Sequence, residues 1–137
     1  MSARITVRVS VQAPLEKVWE YFTQPEHITK WNHASPDWHA PHAKNDLRSG
    51  GTFLFRMESV DGSEGFDFKG TYTAVVPHER IEYAIEGGRH VSTTFRQDHD
   101  TTTVTTTFDA ENENPLDMQR TGWQSILDNF KTHVLAS

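Results

Sequence analysis

Cysteine is absent from the 137-residue chain, which excludes disulfides, thiolate nucleophiles and cysteine-based zinc sites. Long hydrophobic runs are absent too. No window approaches the roughly 20 apolar residues that span a bilayer, so no membrane insertion is expected. The opening stretch MSARITVRVS alternates polar and apolar residues and has no apolar leader core, which reads as a cytoplasmic protein. Basic clusters are also missing. Thirteen Lys and Arg are scattered among nineteen Asp and Glu, for a formal charge of −6. Nucleic-acid binding needs a concentrated basic surface, so nucleic acid is not an expected partner. There is no nucleophile elbow, phosphate-cradling glycine loop or dinucleotide fingerprint. No repeat, low-complexity linker or shift in composition divides the chain, so residues 1–137 read as one domain.

Aromatic residues are plentiful: eight Phe, four Trp and three Tyr. Most must lie in the core, yet rings on a concave sheet also make good ligand contacts. From Arg4 to Gln12, Ile5, Val7, Val9 and Val11 alternate on one face, the pattern of a half-buried strand. The period changes at Pro14, which suits a first helical position, and Leu15, Val18, Trp19 and Phe22 follow at helical spacing. Pro25 starts a second short helix that ends at Trp31. Residues 32–45 lose periodicity, carry Pro36, Pro41, Trp38 and three His, and read as a long irregular loop.

From Asp46 to Phe108 the chain reads as a meander of about five strands. Short β-branched and aromatic runs are separated by turn signals such as Asp61-Gly62, Pro77-His78 and Gly87-Gly88. Asn114 reads as an N-cap with Pro115 as first helical residue of a final long helix. Its apolar stripe is Trp123, Ile126, Leu127, Phe130 and Val134. The expected class is α+β: a curved antiparallel sheet of about six to seven strands wrapped on a long C-terminal helix, with two short helices after the first strand.

Four phrases occur in order along the chain: FTQPEHITKWN, DLRSGGTFLFRM, KGTYTAVVPHERIEY and GWQSILDNFKTHV. Together they resemble the activator of 90-kDa heat-shock-protein ATPase homologue family, within the START-like (SRPBCC) superfamily. The resemblance implies a helix-grip fold with a cavity between sheet and long helix. It also implies binding of apolar or aromatic small molecules, as in the wider superfamily, or a chaperone contact, as the family name states. Eukaryotic co-chaperones of this family carry a separate domain ahead of this one, whereas this chain begins directly at the first strand.

The residues expected around such a cavity are Trp31, Trp38, Phe53, Phe55, Met57, Tyr72, Tyr83, Phe95, Trp123, Leu127 and Phe130, with Ile126 beside them on the helix. Taken singly, each reads first as core packing; taken together, a helix across a concave sheet leaves some of them to line a cavity. Tyr72 and Tyr83 could orient a ligand through their hydroxyls, and Trp38 could close the mouth as a lid. No carboxylate pair is placed for acid–base work, and no catalytic residue is assigned. An enzyme of cyclase, hydrolase or isomerase type would draw on Tyr72, Tyr83 or His90. His33, His39 and His42, with Asp37 among them, match no zinc-ligand spacing, so neither metal nor cofactor is expected. The expected partner is a small apolar molecule, bound by a monomer or a homodimer.

Overall fold

The computed structural model describes residues 3–136. The chain order is β1 (Arg4–Val11), α1 (Leu15–Thr23), α2 (Pro25–Trp31), β2 (Trp38–Asn45), β3 (Thr52–Ser59), β4 (Gly65–Val76), β5 (Arg80–Ile85), β6 (His90–Asp98), β7 (Thr101–Asp109) and α3 (Leu116–Leu135). The seven strands form one antiparallel sheet in the order β1-β7-β6-β5-β4-β3-β2, curled into a half-barrel around α3.

Alternation decides the faces. In β1 every second residue is buried (Ile5, Val7, Val9, Val11), and β7 matches it with Thr102, Val104, Thr106 and Phe108. The outward threonines form a hydroxyl ladder, Thr6 with Thr107 at 3.0 Å and Ser10 with Thr103 at 3.2 Å. Buried Thr93 and Thr106 satisfy each other at 2.9 Å, which spares two hydroxyls the cost of unpaired burial.

The edge strand β1 is covered rather than left open. From α3, the Gln124 side-chain amide donates to the Arg8 carbonyl at 2.9 Å and accepts from the Arg8 N–H at 3.4 Å. The other edge, β2, corrects the expected loop. Residues Trp38–Asn45 form a strand paired with β3, and its register shifts between His39 and His42, around Pro41. Proline has no N–H for a ladder, so it is tolerated on an edge strand and at a bulge, and both conditions hold here.

The start of α3 differs by one residue from expectation. Pro115 is the cap, with φ −57° and ψ 148°, and no side chain caps it from the N-cap position. Buried Gln119 instead ties the segment leading into the helix to its first turn: its amide donates to the carbonyls of Asn114 (2.8 Å) and Glu111 (3.1 Å) and accepts from the Glu111 N–H (2.9 Å). Pro14 likewise caps α1 rather than opening it.

Candidate functional site

A helix laid across a curved sheet meets it at the margins. The principal helix-to-strand contacts are α3 on β1 and α2 on β2, the two edges, with α1 closing over β6 and β7. The middle of the concave face is therefore spanned by side chains around a cavity of about 430 Å³. That lies within the range of small-molecule sites.

The sheet supplies Phe53, Phe55 and Met57 from β3, Phe66, Phe68 and Tyr72 from β4, and Ile81 and Tyr83 from β5. The helix supplies Trp123, Ile126 and Leu127, while Phe22, Ile28 and Trp31 close one end. Ring geometry makes these walls stiff. Phe53 stacks on Phe55 at 4.9 Å and receives the Tyr83 ring edge-on at 4.9 Å. Trp123 lies flat on Phe108 at 4.0 Å and takes Phe68 edge-on at 6.4 Å, which joins helix to sheet across one side. Phe66, 49% exposed, stands 5.9 Å from Trp38 at the rim.

Nine of the nominated residues line this space: Trp31, Trp38, Phe53, Phe55, Met57, Tyr72, Tyr83, Trp123 and Leu127. Phe95 and Phe130 do not. Phe95 is buried under α1, edge-on to Trp19 (5.1 Å) and Phe22 (5.2 Å). Phe130 is fully buried between Phe22 and Trp31. Both were placed by face alone, and the face continues past the cavity into solid core. Trp38 opens β2 rather than riding on a loop.

Several wall residues were not nominated. Phe68 shares parity with Tyr72 on β4, a signal that was available. Asn45 ends a strand where a loop is expected, and Arg89 stands one residue ahead of the expected strand from His90, across a glycine turn.

One polar chain runs along the wall. The Tyr72 hydroxyl donates to Asn45 Oδ1, and Asn45 Nδ2 donates to the Thr23 carbonyl at 2.8 Å. Burial pushes both the Tyr72 and Tyr83 phenols well above the ordinary tyrosine range. For Tyr72 the Asn45 bond partly offsets this; for Tyr83 nearby Tyr72 adds to it and Arg89 offsets it. Both phenols are therefore protonated donors at neutral pH and not poised bases. His90 is exposed, and its backbone N–H donates to Asp109 Oδ2 at 2.9 Å. His39 and His42 sit on β2. Among the described residues no group of three His, Cys, Asp or Glu is placed to hold a metal, and no helix is long and apolar enough to cross a membrane.

A family model described as activator of Hsp90 ATPase homolog 1-like protein matches residues 12–134. The AHSA1-like protein from Aeromonas hydrophila, solved in solution, is 40% identical, with a TM-score of 0.92 over 98% of this chain and 93% of that one. A Cytophaga hutchinsonii protein is 48% identical, with a TM-score of 0.84 over 97% of this chain and 92% of that one. A Nitrosomonas europaea protein, 18% identical with a TM-score of 0.85 over 97% and 94%, shares the fold. No curated protein matches the sequence. The chain belongs to the activator of Hsp90 ATPase homolog 1-like family.

Proposed function

We propose that this family member binds a small, largely apolar molecule with an aromatic body, held between the middle of the sheet and α3. The observation that carries the reading is the cavity itself, about 430 Å³ with walls mostly of rings and aliphatic side chains. Burial and stacking would supply affinity, and the buried Tyr hydroxyls would set orientation. Protonated phenols, that of Tyr72 held by Asn45, suit recognition better than proton abstraction, which favours binding over an enzymatic role.

Native mass spectrometry of freshly purified protein tests this. A retained small molecule, or a rise in melting temperature with aromatic compounds, is the expected result. Neither retention nor any stabilisation across a panel of flat apolar compounds would overturn the reading. A chaperone contact rests on the family relationship alone. It predicts stimulation of a chaperone ATPase by added protein, and failure to bind the chaperone in pull-down would sink it.

A further inference from the structure

Among the described residues, Arg89 is the one charged side chain on the cavity wall. We propose that it anchors a carboxylate, so that the ligand is an amphiphile with a flat apolar body and a carboxylate seated between Arg89 and Tyr83. This rests on the binding reading above and adds the ligand's class.

The placement follows from the β5–β6 turn. Gly87 and Gly88 both adopt positive φ, +105° and +100°, and the tight reversal sets Arg89 at the head of β6, part-buried beside the cavity. Its Nη1 donates to the Asp109 carbonyl at 3.2 Å. That bond fixes the guanidinium and uses one of its five donors.

The other partnered arginines show what Arg89 lacks. Arg4, Arg48, Arg56 and Arg80 each hold a carboxylate, at 3.3, 3.0, 3.0 and 2.8 Å. Among the described residues no carboxylate lies within 4 Å of the Arg89 guanidinium. The Asp109 carboxylate is already committed to Arg4 and to the His90 N–H. A cation facing an apolar space without a counter-charge is costly, and an incoming anion offsets that cost.

Tyr83 supplies a second donor. Its hydroxyl makes no hydrogen bond among the described residues, unlike those of Tyr72, Thr93 and Thr106. Among the described residues, none on the wall carries negative charge to repel an anion. The planar fork of one arginine fits a carboxylate; a phosphate dianion would call for further positive charge that the wall does not supply.

The test uses the intact chain and two matched probes, biphenyl-4-carboxylic acid and biphenyl-4-carboxamide, by titration calorimetry at pH 7.5. The acid is expected to bind wild type about tenfold or more tightly than the amide. Arg89→Gln should abolish that preference by weakening the acid far more than the amide, and Arg89→Lys should retain part of it. Tyr83→Phe removes a hydroxyl with no internal partner, so it should cost little stability, and it should weaken the acid more than the amide. Equal binding of acid and amide to wild type, or a preference that survives Arg89→Gln, overturns the anchor but leaves the binding reading standing. Binding of neither compound overturns the anchor as well, while the binding reading is decided by native mass spectrometry and the compound panel above. If Arg89→Gln does not fold, the wild-type ratio and the Tyr83→Phe comparison decide.

Discussion

Gly70 offers a sharp test of the cavity wall, because one added methyl group meets two different obstacles there. Gly70 pairs with Phe53 across β3–β4, and the Phe53 ring lies over it. A Cβ at position 70 would stand 2.4 Å from the Ala84 carbonyl oxygen and 2.8 and 2.9 Å from Phe53 Cζ and Cε2. The ring can swing only toward the cavity, and the carbonyl belongs to the β4–β5 ladder and cannot yield without distorting it. Overpacking of this kind costs about 1–3 kcal/mol. For a chain of this size that lowers the melting temperature by roughly 4–12 °C. Gly122→Ala is the matched control: on α3 its Cβ meets nothing within 4 Å, so the same substitution should stabilise by about 0.5–1 kcal/mol through helix propensity. Urea denaturation at a common m-value reads both signs. Gly70→Ala as stable as wild type would refute the close approach of Phe53 to the β4 backbone.

Tyr72→Phe strands Asn45 Oδ1 without its donor and should cost about 1–3 kcal/mol by urea unfolding; a neutral result would mean that the Tyr72–Asn45–Thr23 chain is not formed. The two buried phenols predict alkaline instability. The unfolded chain releases these protons near pH 10 while the folded chain keeps them, so stability is full below about pH 10 and falls as pH rises, by up to about 1.4 kcal/mol per pH unit per tyrosine. Tyr72→Phe should halve that slope, and a stability flat to pH 11 would contradict burial. Phe130→Ala should cost about 3–5 kcal/mol of stability with little change in probe affinity at temperatures where it stays folded. Trp123→Ala should do the opposite in emphasis, losing affinity for aromatic probes at smaller cost in stability, and calorimetry on both variants separates core from wall.

The sheet and the long helix were legible because burial leaves a period in the sequence. Ile5 to Val11 could bury one face only as a strand, and Trp123 to Val134 only as a helix. β2 was not legible: WHAPHAKN has a proline, three basic side chains and no β-branched residue, and it is held as a strand by pairing with β3 and by α2 above it. The limits of the cavity were hidden for a related reason. Alternation tells which face Phe95 and Phe53 share, but it does not tell that α1 closes over one and not the other. Arg89 shares the parity of buried Val91, Thr93 and Phe95 but lies one residue ahead of the expected strand, and its placement depends on a two-glycine reversal and on where β7 ends.

Intermolecular NOEs on isotopically labelled protein with bound biphenyl-4-carboxylic acid test the central claim most directly. Contacts from the probe to Phe55, Met57 and Trp123 together are expected, since only a molecule inside the cavity touches sheet and helix at once. A probe that binds but shows contacts only to exposed side chains, such as Val60 or Met118, would contradict it.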